Sequence, residues 1–214
     1  MQQFKQLALM LGVTTILIGC DNENSKTKDS QAAKQEAVAP DHLQKDAAPG
    51  AGVLKQEVTI NPEMVMQAAL NGDAGSISKA IENGYDVNAT DEEQHTALMM
   101  AAYNGHSEIV KMLLDHGAKT DIRDNQERTA LMYASTGPFN ESVKLLLEAG
   151  ADPNLVDNDE HFTALMFAAA EGQKEVVATL LQHGADKTMV DEDGESAYDF
   201  AIANGHTEVA ALLK

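Results

Sequence analysis

Histidine is the residue type in this sequence best suited to metal or acid–base chemistry, and seven copies occur in 214 residues. No two have the spacing of a zinc motif. Cys20 is the only cysteine, so a thiolate zinc site is not predicted either. His95 and His161 lie in polar segments, where we expect both side chains to be exposed. The sequence therefore predicts neither a metal site nor a cofactor.

An acidic run, DEDGE at residues 191–195, has the beginning of a calcium-binding loop. The twelfth position of such a loop would be Ile202, whereas an EF-hand needs a bidentate glutamate there. The chain also has no glycine-rich phosphate loop and no local nucleophile motif. We therefore expect a binding protein with no small-molecule substrate, rather than an enzyme.

The elements that carry these residues repeat along the chain. Thr-Ala-Leu-Met occurs at 96–99, 129–132 and 163–166, and a glycine recurs at the same period at Gly84, Gly117, Gly150 and Gly184. In each unit the threonine is a good N-cap for a first helix, an Asn-Gly-like turn ends that helix, and a second amphipathic helix follows. A polar, extended finger leads to the next threonine. Two short helices cannot bury their apolar faces alone, so the predicted fold is an all-α solenoid of stacked units.

The repeated segments resemble the ankyrin repeat, a unit of about 33 residues. The resemblance is carried by TALMMAAYNGH, TALMYASTGPF and TALMFAAAEGQ, and in the same register by LLDHGAKTD, LLEAGADPN and LLQHGADKT. It predicts a domain over 61–214, with an N-terminal cap at 61–90, full repeats at 91–123, 124–156 and 157–190, and a C-terminal cap at 191–214. Met99, Met132 and Met166 occupy the place of a family histidine that normally joins a polar network. The sequence therefore does not predict that network here.

The same three methionines share one position of the repeat and should lie near one another through the stack. Methionine fills irregular gaps well, so core packing is the simpler interpretation. The alternative is an oxidant-sensitive or copper-holding stripe, because methionine sulfoxide would disrupt the stack.

The N-terminus predicts export and lipidation. One early positive charge precedes an apolar stretch at 7–18 that is too short to span a bilayer, which is the shape of a signal peptide. The stretch ends in LIGC, which resembles the bacterial lipobox. We predict a signal peptide at 1–19, lipid attachment at Cys20 and a flexible tether over 20–60. The alternative is an ordinary signal peptide with an incidental thiol. Asp21 resembles a retention signal for the periplasmic face of the inner membrane.

The charge of the repeat domain restricts its partners. Residues 61–214 contain 27 acidic and 9 basic residues. Nucleic-acid binding needs basic patches and is not expected. We expect the membrane to be contacted through the lipid anchor only. The acidity predicts a protein partner with a basic surface, or alternatively serves solubility.

The ankyrin resemblance also implies where a partner binds, since the family usually uses the finger tips and the exposed ends of the first helices. Carried over by repeat position, the candidates are Glu92, Glu93, His95, Tyr103 and Asn104 in the first full repeat, Asn125, Gln126, Arg128, Thr136 and Gly137 in the second, and Asn158, Asp159, His161, Phe162, Ala170 and Glu171 in the third. The third finger is one residue longer, either as a tolerated insertion or to present Phe162 as an exposed aromatic anchor.

Two functions fit these predictions. One is a scaffold or adaptor for an envelope protein, which the resemblance connects with oxidative stress because some periplasmic relatives are associated with support of catalase and peroxide resistance. The other is a periplasmic inhibitor or immunity protein that blocks a toxin or an enzyme.

Overall fold

The computed structural model describes residues 61–214, and these fold into ten α-helices arranged as five stacked antiparallel pairs. The helices are α1 (Pro62–Asn71), α2 (Ala74–Glu82), α3 (Ala97–Tyr103), α4 (Ser107–Asp115), α5 (Ala130–Ser135), α6 (Asn140–Glu148), α7 (Ala164–Ala170), α8 (Lys174–Gln182), α9 (Ala197–Ala203) and α10 (Thr207–Leu213). The predicted all-α solenoid is confirmed. None of these ten helices has the length and apolar content needed to cross a membrane. The predicted signal peptide, Cys20 and the tether lie outside the described residues.

The first helix of each repeat begins where a side-chain oxygen caps it. Thr96 accepts a hydrogen bond from the Met99 N–H at 3.2 Å, and Thr129, Thr163 and Ser196 cap their helices in the same way. Asn61 caps α1, and Pro62 follows at its first position, where a proline is well tolerated. The first helix of each unit therefore begins directly after the residue that caps it.

Two of the methionines that follow these caps, Met99 and Met166, accept a hydrogen bond from the backbone. The Thr96 N–H donates to Met99 Sδ at 3.4 Å, and the Thr163 N–H donates to Met166 Sδ at 3.5 Å. In the last repeat the carboxylate of Asp199 accepts from the Ser196 N–H at 2.8 Å. A thioether is a weak acceptor, but it can satisfy a buried backbone N–H. The side chains of Met99, Met166 and Asp199, at the place of the family histidine, thus accept a hydrogen bond from the backbone.

The core runs between neighbouring helix pairs. Leu113, Leu146 and Leu180 occupy one position of the second helices, and all three are fully buried. The methionines of the repeated Thr-Ala-Leu-Met are 1–2 % exposed. Their burial agrees with the core-packing interpretation.

Side-chain amides form hydrogen bonds between consecutive repeats. Asn88 Oδ1 accepts from the Lys119 N–H at 2.8 Å, and Asn88 Nδ2 donates to the Gly117 carbonyl at 3.2 Å. Asn154 makes the same pair of bonds to the loop of the next repeat. Asp121 occupies the equivalent place between them and, as a carboxylate, can only accept, from the Asp152 N–H at 3.2 Å. The middle junction is therefore held by one bond fewer.

Aromatic rings also join the repeats at the start of the second helices. His106 lies against Gly72 and has Nε2 3.0 Å from the Leu70 carbonyl oxygen, at the end of α1. A Cβ at Gly72 would lie 2.7 Å from the ring, and the φ of Gly72 is +76°, so both space and backbone favour glycine. His206 repeats the contact at the Ala170 carbonyl, at 3.1 Å.

Candidate interaction surface

The fingers are hairpin turns organised by one aspartate each. Asp91 Oδ1 accepts from the Glu93 N–H at 2.9 Å and from the His95 N–H at 2.8 Å. Asp124, Asp157 and Asp191 make equivalent pairs of bonds in their own fingers. These bonds satisfy the backbone of each turn internally, so the turn presents its remaining side chains to solvent.

Neighbouring fingers are joined into one strip by backbone hydrogen bonds. The Asn125 N–H donates to the Glu93 carbonyl and the Asn158 N–H to the Gln126 carbonyl, both at 3.0 Å, and the Glu192 N–H donates to the Glu160 carbonyl at 3.2 Å. We call this strip, residues 91–95, 124–128, 157–162 and 191–195, the finger row. Because its tips are already bonded to one another, little ordering is needed when a partner binds.

The finger row is strongly acidic. It contains twelve acidic residues and a single arginine. That arginine, Arg128, is turned inward: its side chain is 13 % exposed, its Nε lies 3.4 Å from Asp157 Oδ2, and its guanidinium carbon lies 5.7 Å from the centre of the Phe167 ring. Its Nη2 atom also lies 3.8 Å from the exposed Asp159, and Arg123, directly before the second finger, pairs with Glu127 at 2.6 Å. The other exposed carboxylates have no such cation beside them and leave the solvent side of the row negative.

The pKa of Glu160 is shifted by burial and by the negative charge of the finger row. The pKa of the Glu160 carboxyl is raised above its usual 4.5. The largest cause is partial burial, and the nearby carboxylates of Asp159, Asp157, Asp191 and Asp193 add to it. Four like charges acting on one side chain indicate that the negative potential is concentrated between the third and fourth fingers.

Four of the sequence-predicted contact residues, Gly137 among them, are buried, which corrects the expectation that they are accessible. His95 is 7 % exposed, Phe162 is 3 % exposed and Ala170 is 7 % exposed. The ring of Phe162 packs between Phe167 and Phe200, with centroid distances of 5.4 and 4.8 Å. The extra residue of the third finger places His161 at the turn, with φ +60°, and directs Phe162 inward. Phe162 is thus a core residue and not an exposed anchor.

His95 is buried between two fingers. Its Nδ1 lies 3.0 Å from Asp91 Oδ2, and its Nε2 lies 3.8 Å from Asp124 Oδ2. Tyr133 donates to the same Asp124 oxygen at 2.6 Å, and burial together with this bond raises the pKa of the Tyr133 hydroxyl well above its ordinary value. The group links the first two fingers to α5 and leaves His95 inaccessible to a partner. Arg128 and Gly137 are likewise mostly or fully buried.

The other predicted contact residues are at the surface. Glu92, Glu93, Asn104, Asn125, Asn158, Asp159, His161 and Glu171 are exposed, and Tyr103, Gln126 and Thr136 are half-buried. They lie on the finger row and at the ends of α3, α5 and α7. The Asn104 side chain also donates to the Leu70 carbonyl at 2.7 Å, which holds this residue in place.

The comparison with protein-family models agrees with the repeat geometry. The model described as ankyrin repeats, three copies, matches residues 65–157 and 139–214. The chain belongs to the ankyrin-repeat family. A comparison with curated proteins finds no match. Ankyrin-repeat domains are typically non-catalytic modules that bind other proteins, which indicates protein–protein interaction for this chain.

One group in the ankyrin array has the residue types of a metal site. Asp91, Glu93 and His95 offer three ligand atoms that all lie within 4.8 Å of one another. The Asp91 carboxylate is already bonded to two backbone N–H groups and to the His95 ring. The same aspartate cap occurs in the three fingers that lack this histidine. The turn itself accounts for the cluster, and no metal is assigned to it.

Sequence reasoning missed part of the acidic surface. Glu127, Glu160, Glu192, Asp193 and Glu195 are exposed in the finger row but were not among the predicted contacts. The repeat period could have found them, since each occupies a finger position equivalent to one already chosen. The fourth finger lies in the predicted C-terminal cap, to which the sequence assigns no contact residues.

Proposed function

We propose that this chain is a lipid-anchored ankyrin protein of the bacterial cell envelope whose finger row binds a basic surface of another protein. The observation that carries the proposal is the finger row itself, a strip of turns that is bonded from repeat to repeat and whose only arginine points inward. Such a surface attracts Lys- and Arg-rich proteins over a distance set by salt, and it repels nucleic acid and anionic lipid.

The anchor is supported by the sequence alone. LIGC at residues 17–20 follows an apolar stretch, and Asp21 follows the cysteine. A lipidated Cys20 attaches the protein to the membrane, on the periplasmic face of the inner membrane, and residues 20–60 hold the ankyrin domain away from the surface. A tether of about 40 residues has an r.m.s. reach of roughly 35 Å. We propose that the protein acts there as a scaffold or adaptor for an envelope protein.

Pulldown from solubilised membranes tests the binding surface. The full chain serves as bait in wild-type form, with Glu92→Lys plus Glu93→Lys, and with Lys111→Glu plus Lys144→Glu as a matched charge swap on the second helices. We expect the finger swap to lose a basic partner that the wild type and the second-helix swap both retain. Loss with the second-helix swap alone would place the interface on the other side of the repeats. A retained partner that is a toxin or an enzyme inhibited by the chain would make the protein an inhibitor rather than a scaffold.

Cell fractionation tests the anchor. Cys20→Ala should leave an unprocessed or soluble protein, because the acylated residue is lost. A mature form of the variant that still requires detergent for extraction would contradict lipidation at this position.

A further inference from the structure

The C-terminal end of the ankyrin array exposes apolar side chains. Within residues 61–214, the exposed large apolar residues are Met64, Val190, Ile202 and Leu212, and three of these four lie in the last 25 positions. Ile202 and Val190 are each 50 % exposed. A repeat face that remains in contact with water is normally polar. Asp199 agrees with that rule, whereas Val190 and Ile202 do not.

The repeat register explains why these side chains are uncovered. Ile202 on α9 occupies the position of Ala102, Ser135 and Ala169, each of which is 0 % exposed in its own repeat. Asp199, also on α9, is exposed at the position where the inner repeats bury a methionine. Helix α9 therefore presents to solvent the face that α3, α5 and α7 bury against the following repeat. A large aliphatic residue has replaced the alanine or serine of this face.

Acidic residues surround the uncovered face. Residues 191–214 contain six acidic residues and one lysine, and Glu192, Asp193, Glu195 and Asp199 are all exposed. Val190 is bridged to Ser196, the N-cap of α9, so the fourth finger and α9 are adjacent. Two copies of the chain that met through this end would bring the two acidic sets together, which opposes a homodimer. The charge favours an occupant that is both apolar and cationic.

We propose that the end face, formed by Asp199 and Ile202 on α9 with Val190 and the acidic finger at 192–195, binds an amphipathic helix of another protein. The helix has aliphatic side chains on one side for Ile202 and Val190, and lysine or arginine beside them for the carboxylates. The inference rests on the proposed function in that the array is a protein-binding module, but it uses a surface other than the tips of the first three fingers.

A synthetic peptide tests this chemistry. The probe is a helix of about 18 residues, five turns, with leucines at helical spacing on one face and lysines elsewhere. The control peptide has the same composition in an order that gives no apolar face. Titration of the full chain should show tighter binding of the amphipathic peptide, and Ile202→Asn should weaken it by about five- to ten-fold, as loss of a central aliphatic contact does. Met64→Asn is the matched variant, because it removes an exposed apolar side chain at the opposite end.

Three results would overturn the proposal. Equal binding of the two peptides would mean that only net charge is recognised. Equal effects of Ile202→Asn and Met64→Asn would remove the end face from the interaction. A sedimentation mass of two chains that Ile202→Asn returns to one chain would assign the face to a second copy.

The finger swap, Glu92→Lys with Glu93→Lys, separates this inference from the proposed function. We expect it to leave the affinity for the amphipathic peptide within about two-fold at high salt, where distant charges are screened. A peptide that binds normally to a finger swap which has lost its membrane partner would support both sites independently. A peptide that loses affinity for the finger swap as strongly as for Ile202→Asn would overturn the end face as a separate site.

Discussion

The finger row and the second helices are both exposed surfaces of the same repeats, yet they differ in the number and pairing of their charged residues. The five second helices carry seven acidic residues and four lysines, and three of the lysines are paired: Lys111 with Asp115 at 2.8 Å, Lys144 with Glu148 at 3.8 Å, and Lys174 with Glu208 at 2.8 Å. The finger row has twelve acidic residues and one arginine, which is directed into the stack.

The acidic charge of the domain is therefore not spread evenly over its surface. Short-range pairs of opposite charge on a helix surface add solubility and a little stability, and they cancel at a distance. Most carboxylates of the finger row have no lysine or arginine partner at the surface, so their field extends towards solvent. The exceptions are Glu127, 2.6 Å from Arg123, and Asp159, 3.8 Å from Arg128. Solubility accounts for the second helices, whereas the finger row has the charge distribution of a binding surface.

The largest expected effect comes from the core that supports both surfaces. Leu146→Ala should lower the free energy of unfolding by roughly 2–5 kcal/mol, because Leu146 is fully buried between repeats and its loss leaves a cavity. Thermal or denaturant unfolding measures the effect. Leu212→Ala, which removes a leucine that is 39 % exposed, should cost well below this amount. Equal losses for the two variants would contradict the placement of the core.

Removing one cation from each surface should change the free energy of unfolding by different amounts. Arg128→Met should destabilise the domain by about 1.5–3 kcal/mol, since it leaves the buried carboxylate of Asp157 without its charged partner. Lys144→Met breaks an exposed pair and should cost no more than about 0.5 kcal/mol. Urea unfolding of the two variants side by side would contradict the account if the second change were the more costly one.

The helices and the core could be predicted from the sequence because they follow rules of fixed period. The caps at Thr96, Thr129 and Thr163 and the buried leucines of the second helices recur every 33 or 34 residues, and an apolar stripe at helical spacing has only one way to be buried. The stacked architecture follows from the fact that a single pair of short helices cannot bury its own apolar face.

The inward side of the fingers could not be predicted in this way. His95, Arg128 and Phe162 each precede a capping threonine, and all three side chains are mostly buried. A finger is an extended turn, so helical periodicity says nothing about which of its residues face the stack. One inserted residue also shifts every later side chain of the turn, which is why Phe162 rather than His161 points inward.

A smaller effect is expected at the junction between the second helices and the fingers. Asp121→Asn should raise the free energy of unfolding by about 0.5–1.5 kcal/mol, because the amide gains a donor for the Gly150 carbonyl, as Asn88 and Asn154 have for their own loops. The reciprocal change, Asn88→Asp, should cost a similar amount. Denaturant melts in which both variants shift in the same direction would rule out this role for the amides.

The smallest effect is a pH dependence within the finger row. Because neighbouring carboxylates and burial raise the pKa of Glu160 in the folded state, its ionisation lowers stability as pH rises through that value. Glu160→Gln should therefore stabilise the domain at neutral pH and lose this advantage below about pH 4, where the glutamate is protonated in both states. Glu148→Gln on the second helices should give no gain at neutral pH, since it breaks the pair with Lys144. Melting temperatures across the pH range test both statements.

The finger row, and not the second helices, produces the electric field that steers an approaching partner. Association rates of the partner recovered from membranes should be measured at low and high salt for the wild type, for Glu92→Lys with Glu93→Lys, and for Lys111→Glu with Lys144→Glu. We predict that the finger swap slows association several-fold at low salt, that the difference shrinks as salt screens it, and that the second-helix swap has little effect. An association rate that ignores salt and both swaps would contradict the claim and leave solubility as the role of the acidic charge.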